Sequence, residues 1–226
     1  MLFKDGKFAD FIFASIEQVV GKDYKKHAVA IEVGAGMGRF SFTLVNNFKK
    51  VILIEPAKAF AKVLKQQFNK KHVLVAKTTV ENYFAKRKVP KNSIFFGFHL
   101  LHHLTKAQRK KLFSLISNSK SSAIFVDPNP WNPLLLVQPF FNRDMAFKQE
   151  MQYLKITKAN LAKELSLCGL EVKNHETLCL LPPFLTKRLL SNKSWQNELI
   201  AFEKVRKFLP FLGSYHFFYC RPIEKA

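Results

Sequence analysis

The chain has 226 residues, of which 48% are hydrophobic and 24 are phenylalanine, and this composition favours one folded domain with a large core over a disordered chain. Its three cysteines are widely spaced, with neither a disulfide framework nor a metal-ligand spacing, so we expect a reducing cytoplasm and no metal site. The formal net charge of +21 is high, and we expect neither a signal peptide nor a membrane span, which needs a run of ~18 apolar residues.

The first predicted element is a helix over residues 8–20. Its apolar residues recur at helical spacing: Phe8, Phe11, Ile12, Ile16, Val19 and Val20. Such a one-sided stripe predicts an amphipathic helix packed on the rest of the domain. We therefore interpret residues 1–28 as an N-terminal capping helix of a single domain that spans residues 1–226.

The next segment places a glycine-rich loop between a strand and a helix. Residues 29–33, which include Glu32, predict the strand, and residues 39–48 predict the helix. Glycines stand between them at every second position: Gly34, Gly36 and Gly38. Glycine allows a positive φ or the close approach of a ligand, and a helix N-terminus suits the polar part of a nucleotide. A dinucleotide loop would need its third glycine where Arg39 stands, and a plain tight turn is the alternative.

A second strand–helix unit follows directly. Residues 51–54 predict a strand, and Glu55 follows it, 21 residues after Gly34. A carboxylate at this distance, one strand–helix–strand step later, suits a ribose diol. Pro56 is expected at the first helical position, where proline is well tolerated, of a helix that ends near Asn69.

The remaining pattern predicts five further strands, over residues 73–75, 94–98, 123–126, around 171–172 and 215–219. Two capping boxes, Thr78–Glu81 and Thr105–Gln108, mark helix starts, and a further helix is predicted over residues 157–167. Alternating strands and helices indicate an α/β doubly wound sheet. Two proline-interrupted stretches, residues 131–155 and 182–210, are expected to be insertions that form a substrate lid.

Polar residues and glycines cluster at the predicted strand ends. They are Glu32, Gly34, Gly36, Gly38, Glu55, Thr79, His99 and Asp127. Ligands of open α/β sheets bind beyond the carboxyl ends of the strands, so we expect these residues to converge. His99 is expected to touch the cofactor or the substrate. His102 and His103 follow. One of them acts as a base, or alternatively both only pack or hydrogen-bond the amide groups at the start of a helix.

The chain resembles the class I S-adenosylmethionine-dependent methyltransferases. The resemblance rests on residues 32–40 with Glu55, and on residues 97–104 and 127–134, which resemble one bacterial branch of that superfamily. It covers nearly the whole chain and implies a mostly parallel sheet of seven strands with the last strand antiparallel. It also implies S-adenosyl-L-methionine as the cofactor.

The resemblance further implies roles for individual residues. The cofactor-binding residues are Glu32, Gly34, Ala35, Gly36, Gly38, Glu55, Pro56, Thr79, Val80 and His99. We expect His99, His103 and Asn129 to be catalytic and Trp131, Asn132 and Tyr153 to contact the substrate, with Asn129 and Trp131 placed on the rim after the fifth strand. An acid commonly binds adenine at the position of Thr79, so backbone groups or a hydroxyl would replace it here. A rigid proline turn is the alternative for Asn129 and Trp131.

We expect a methyltransferase that acts on a small-molecule, sugar or lipid-linked acceptor. The alternatives are an RNA or protein (ribosome-associated) methyltransferase and a binding protein without catalysis. Enzymes that methylate base amino groups carry an Asn/Asp-Pro-Pro-Tyr/Phe motif after the fourth strand. The Asp-Pro-Asn-Pro run of residues 127–130 follows the fifth strand and has no stacking aromatic at its fourth position, which argues against N6-adenine methylation.

The charge leaves two polyanionic partners open, nucleic acid and an anionic membrane surface. Nucleic acid is less favoured, because only seven of the 37 basic residues are arginine, the preferred residue for phosphate recognition. The clearest basic positions precede predicted strands: Lys25–Lys26, Lys49–Lys50, Lys70–Lys71, Lys91 and Lys120. We therefore expect this charge at the amino edge of the sheet, away from the cofactor.

Overall fold

The computed structural model describes residues 6–132, 154, 156–181, 183–190, 195–208 and 210–224. Their strands form one sheet: β1 (Val29–Val33), β2 (Lys50–Ile54), β3 (Val73–Ala76), β4 (Ser93–Phe98), β5 (Ser122–Pro128), β6 (Leu170–Leu178) and β7 (Tyr215–Pro222). The order across the sheet is β3-β2-β1-β4-β5-β7-β6, and β7 runs antiparallel to both of its neighbours while the other pairs are parallel. The predicted α/β sheet of seven strands is confirmed.

Helices cover both faces of this sheet. The α-helices of the described residues are α1 (Lys7–Val20), α2 (Ser41–Asn47), α3 (Lys58–Gln67), α4 (Val80–Phe84), α5 (Lys106–Asn118), α6 (Lys158–Ser166), α7 (Pro183–Leu190) and α8 (Trp195–Phe202). Side chains of α1, α2, α3, α7 and α8 join the core on one face, and those of α4, α5 and α6 join it on the other. Strands β1, β4 and β5 are therefore buried along their whole length, and most of their residues are apolar.

The start of α3 differs from the prediction, whereas the start of α5 agrees with it. Helix α3 begins at Lys58 with Ala57 as its N-cap, so Pro56 does not occupy the first helical position. The Glu55 carboxylate accepts the N–H of Ala57 in a local turn that delays the helix. Helix α5 begins after Thr105 with the predicted capping box to Gln108.

The predicted cap at Thr78 is wrong by one residue. Thr79 has an extended backbone and is the N-cap of α4, and its hydroxyl accepts the N–H of Asn82 at 3.4 Å. Helix α2 is also shorter than the predicted range of 39–48. These differences leave the glycine loop and the strand ends where the sequence pattern puts them.

Helix α1 and the second predicted insertion pack together. Gln18 of α1 donates its side-chain N–H to the Ile200 carbonyl of α8 at 2.9 Å. The buried carboxylate of Glu203 accepts the backbone N–H groups of Cys179 and Leu180, each at 2.9 Å, and so ties the same segment to the end of β6. The described part of this insertion is therefore anchored to the domain.

The first predicted insertion lies mostly outside the described residues. Of residues 131–155 the structure describes Trp131, Asn132 and residue 154, so the predicted substrate residue Tyr153 is not among them. The role of both insertions as a lid stays a prediction.

The predicted basic positions lie at the amino ends of the strands. Lys49–Lys50 and Lys70–Lys71 are exposed just before or at the start of β2 and β3. Lys26 pairs with Asp23 at 2.7 Å near the start of β1. Within the described ranges, no helix has both the length and the apolar character needed to cross a membrane.

Candidate functional site

The glycine loop joins the carboxyl ends of β1 and β2. The N–H groups of Gly34 and Ala35 both donate to the Ile54 carbonyl, at 2.8 and 3.2 Å, and Gly38 donates back to Ala35 at 2.9 Å. Gly34, Gly36 and Gly38 have φ values of +70°, +55° and +85°. Side-chain-bearing residues rarely adopt this region, so the turn itself selects glycine.

The three glycines differ in what surrounds them. A Cβ on Gly34 would lie 2.8 Å from Leu100 Cδ1, and a Cβ on Gly38 would lie 2.7 Å from Phe68 Cε2. A Cβ on Gly36 would meet none of the described atoms within 4 Å. Gly34 and Gly38 therefore let the loop pack against the domain, whereas Gly36 presents its backbone to open space where a ligand can approach.

Glu55 holds this open glycine from the next strand. Its carboxylate is buried and accepts the N–H of Gly36 on Oε2 and that of Ala57 on Oε1, both at 2.8 Å. Each carboxylate oxygen can accept a further hydrogen bond. Glu55 therefore fixes the loop and keeps acceptor capacity for the hydroxyl groups of a ligand.

Glu32 lies behind the loop. Its buried carboxyl accepts the Ser41 hydroxyl at 2.5 Å and so ties β1 to the first residue of α2. Burial raises the pKa of Glu32 to about 8, an effect that the Ser41 hydrogen bond partly offsets and the Glu55 charge reinforces. The structure thus places this predicted cofactor residue in a supporting contact, with its carboxyl mostly protonated at neutral pH.

His99 follows β4 in a strained backbone conformation. Its φ is +52°, which is uncommon for a residue with a side chain, and strained residues of this kind often occur at functional sites. Its N–H donates to the Val126 carbonyl at 2.7 Å, and its ring packs edge-on against Tyr215 with centroids 4.8 Å apart. Nε2 is buried and has no hydrogen-bond partner among the described residues. Burial lowers the pKa of His99 to about 3, so the ring is neutral at neutral pH.

His102 forms a buried pair with Asp127. The distance from His102 Nδ1 to Asp127 Oδ1 is 2.7 Å, and the carboxylate also accepts the N–H groups of Leu101 and His102, both at 3.3 Å. A carboxylate surrounded by donors orients the ring so that Nδ1 carries the proton and Nε2 is the basic nitrogen. His103, the predicted base, is exposed. The two neighbouring histidines therefore differ, because Asp127 orients the ring of His102 whereas His103 is exposed.

Asn129 is buried and fully engaged with the protein. Its amide N–H donates to the Gly213 carbonyl at 2.7 Å, while its oxygen accepts from Trp131 N at 3.0 Å and faces His216 Nε2 at 2.6 Å. These partners fix the orientation of the amide. Asn129, predicted to be catalytic, therefore links the turn after β5 to the segment before β7 through hydrogen bonds.

The hydrogen-bond chain continues through two histidines. His216 Nδ1 lies 2.6 Å from His175 Nε2. Burial lowers the pKa of His216 to about 4 and that of His175 to about 3, so both rings are neutral at neutral pH. His216 must donate from Nε2 to the Asn129 oxygen, so its Nδ1 accepts and His175 donates.

The other predicted residues lie around this edge. Val80 is buried and Thr79 is exposed, with its hydroxyl used as the cap of α4. Asn132 is buried and donates to the Leu212 carbonyl at 2.7 Å, whereas Trp131 is 68% exposed. Asn132 therefore helps Asn129 to link the turn after β5 to the segment before β7. The side chain of Trp131 remains available to form a pocket wall.

Sequence reasoning missed Tyr215 and His216. Both begin β7, which is antiparallel, so the amino end of this strand lies beside the carboxyl end of β5, with Asp127 opposite His216. The expected antiparallel last strand was the available signal. It could have added the first residues of that strand to the site.

Neither a metal-ligand cluster nor a groove in the described part of the chain suggests a second functional site. No three histidine, cysteine or acidic side chains of those residues group closely enough to hold a metal ion. A groove of about 600 Å³ between α5 and α6 contains the paired Arg109 and Glu164, and its lining includes no residue of the glycine loop.

Comparisons with known proteins show which solved structures share this fold. No family model matches the chain, and no curated protein matches it. Solved structures do match: 93% of the chain aligns with 93% of a SAM-dependent methyltransferase from Archaeoglobus fulgidus, at 14% identity and a TM-score of 0.62. The fold is that of the class I methyltransferases.

Two further structures show the range of this fold. The plantazolicin methyltransferase BamL, in complex with a triazolic desmethylPZN analog and SAH, aligns with 97% of the chain over 85% of its own length, at 14% identity and a TM-score of 0.57. The mitomycin 7-O-methyltransferase MmcR aligns with 92% of the chain at 13% identity and a TM-score of 0.55. The chain spans about half of that enzyme's length, 52%.

The residues present fit S-adenosylmethionine, the cofactor that the resemblance implies. Gly36 leaves space beside the loop, Glu55 retains acceptor capacity, and His99 contributes a buried polar nitrogen without a partner among the described residues. All three lie at the carboxyl edge of the parallel strands, where ligands of such sheets bind.

Proposed function

We propose that the chain is an S-adenosylmethionine-dependent methyltransferase whose acceptor is a small molecule or a sugar- or lipid-linked intermediate. The observation that carries this proposal is the pair formed by Gly36 and Glu55, in which an open glycine is held at 2.8 Å by a carboxylate of the next strand. The names of two structural neighbours, a mitomycin 7-O-methyltransferase and a plantazolicin methyltransferase, add support for a small acceptor.

The proposed cofactor contacts divide between three strand ends. The backbone of Gly36 admits the ligand at close range because it has no Cβ. Glu55 accepts hydrogen bonds from the ribose hydroxyls. Thr79 and the buried Val80 would lie beside the adenine, with backbone groups in place of the acid that is common in the family.

The proposed chemistry requires a base when the acceptor is a hydroxyl. The bound cofactor supplies a methyl group on a sulfonium sulfur. His102 takes the acceptor proton on Nε2, because Asp127 holds Nδ1 in its protonated form at 2.7 Å. His99, neutral at neutral pH, hydrogen-bonds the acceptor or the cofactor through its unsatisfied Nε2.

Two measurements test the proposal. Calorimetric titration with S-adenosylhomocysteine should show binding to one site, and failure to bind would overturn the cofactor assignment. The protein is then incubated with methyl-labelled S-adenosylmethionine and an extract of the source cells, which is fractionated into small molecules, lipids, RNA and protein. We expect label in the first two fractions, and none with His102→Gln.

The other outcomes decide between the alternatives. Label in the RNA or protein fraction would replace the proposed acceptor class with a nucleic-acid or ribosomal substrate. Binding of S-adenosylhomocysteine without label in any fraction would favour a binding protein that does not transfer methyl groups.

A further inference from the structure

Exposed apolar side chains line the segment that leads into β7. They are Phe202 (44% exposed), Val205 (37%), Phe208 (82%) and Phe211 (52%). The spacing of three residues matches the repeat of a 3₁₀ helix, which the chain adopts over Glu203–Lys207 and again over Pro210–Leu212. All four residues are exposed and recur at every third position, and we call them the phenylalanine ridge.

In this segment an acidic side chain is buried while apolar side chains are exposed to solvent. Glu203, within the ridge, is buried and accepts the backbone N–H groups of Cys179 and Leu180 at 2.9 Å. The phenylalanines on either side of it point outward. A buried acid among exposed aromatics is unusual, and exposed apolar patches of this kind mark interaction surfaces.

The ridge continues directly into the rim of the candidate site. Leu212 and Gly213, which follow Phe211, accept the side-chain N–H groups of Asn132 and Asn129, both at 2.7 Å. Between those two asparagines, Trp131 is 68% exposed. The exposed indole of Trp131 and the end of the ridge therefore lie on either side of the same turn after β5. This turn is at the edge of the sheet that also carries the glycine loop.

Charge identifies the partner. Six basic and two acidic residues lie between positions 183 and 211, and one of the acids is the buried Glu203. Lys204, between Phe202 and Val205, is exposed. A second copy of this chain would bring +21 against +21. Basic side chains interleaved with exposed aromatics are instead typical of segments that enter the interface of an anionic bilayer.

We propose that the phenylalanine ridge and Trp131 dock on an anionic membrane, with the aromatic side chains entering the headgroup region. The site edge then faces the bilayer. This docking goes beyond methyl transfer and does not depend on it.

Flotation with lipid vesicles tests the ridge. The wild-type protein is mixed with phosphatidylcholine vesicles prepared with and without phosphatidylglycerol. It should float with the anionic vesicles, and Phe208→Ser/Phe211→Ser should weaken this binding at least about tenfold, because burial of two aromatic side chains is lost. The matched control is Leu74→Thr/Leu167→Ser, which removes two exposed apolar residues elsewhere and should bind as the wild type does.

Fluorescence gives a readout that leaves the ridge intact. The chain has two tryptophans, so Trp195→Phe leaves Trp131 as the reporter. Brominated lipids should quench Trp131 in anionic vesicles. Wild-type binding by the ridge variant, or bound protein without quenching, would overturn the proposal. Absence of vesicle binding together with self-association that the ridge variant abolishes would also overturn it, and would assign the ridge to a second copy.

Discussion

The backbone N–H of Gly36 donates to the Glu55 carboxylate at 2.8 Å, across 19 residues of sequence. The other carboxylate oxygen accepts from Ala57 at the same distance. Glu55 therefore has two roles, because it positions the loop after β1 and also offers acceptors to a ligand. Both roles can be tested with single substitutions.

The open side of Gly36 predicts a selective loss of ligand binding. Gly36→Ala puts a methyl group into the space beside the loop, and this overpacking should weaken S-adenosylhomocysteine binding by about 1–3 kcal/mol. Gly21→Ala is the control, since Gly21 also has a positive φ, +64°, and a Cβ there would likewise meet no described atom within 4 Å. Calorimetry that shows equal affinities for the two variants would remove Gly36 from the binding site.

Glu55 predicts a combined loss of affinity and stability. In Glu55→Gln the side-chain NH₂ must face either the Gly36 or the Ala57 N–H, so one donor opposes another. We expect S-adenosylhomocysteine affinity to fall by about 1–3 kcal/mol, the scale of a hydrogen bond to a charged group. The melting temperature of the ligand-free protein should also decrease. Unchanged affinity would show that the carboxylate serves the loop alone.

Much of the fold was predictable because its signals are local. The first strand has the predicted bounds of 29–33, and the Thr105–Gln108 capping box is present. Gly34, Gly36 and Gly38 all adopt the positive φ that their pattern indicates. A strand period, a cap and a glycine turn each depend on a few adjacent residues, so one sequence is enough to detect them.

The pairing of side chains across the site was not predictable in the same way. His102 and His103 are adjacent in a short 3₁₀ helix, and its rotation decides which of them meets Asp127. Likewise, His216 reaches Asn129 because β7 lies beside β5. Such contacts depend on tertiary geometry, which spacing along the chain does not reveal.

The His102–Asp127 pair predicts the base. His102→Gln should lower turnover about 10²–10⁴-fold, the usual contribution of a general base, if the acceptor is a hydroxyl. His103→Gln replaces the exposed neighbour and should leave turnover nearly unchanged. Rates are measured at saturating cofactor with the acceptor isolated from the labelled fraction. A larger loss in the His103 variant would restore the choice that the sequence favoured.

Glu32 predicts a specific pH dependence of stability. Its pKa is raised to about 8 in the folded protein from an ordinary value of 4.5, so the folded state holds this proton where the unfolded chain has lost it. The contribution is fully present below about pH 4.5 and is lost as pH rises towards 8, by about 1.4 kcal/mol per unit. Glu32→Gln cannot ionise, so its stability relative to wild type should increase between pH 5 and pH 8 in denaturant titrations. A constant difference across that range would contradict the buried, protonated carboxyl.

Asn129 predicts a loss of stability rather than of chemistry. Its side chain satisfies the Gly213 carbonyl, the Trp131 N–H and His216, and Asn129→Ala removes this partner from all three, of which the contacts to Gly213 and His216 are buried. Each unsatisfied group costs about 1–3 kcal/mol, so the variant should melt several degrees lower.

Asn47→Ala, which loses one side-chain hydrogen bond to the Thr43 carbonyl, should melt close to wild type. Thermal melts and S-adenosylhomocysteine titrations below the melting range separate the two roles, because the loss of a residue that only supports the turn after β5 should leave the affinity unchanged. Full thermal stability combined with lost turnover would return Asn129 to the catalytic role that its place after the fifth strand indicated.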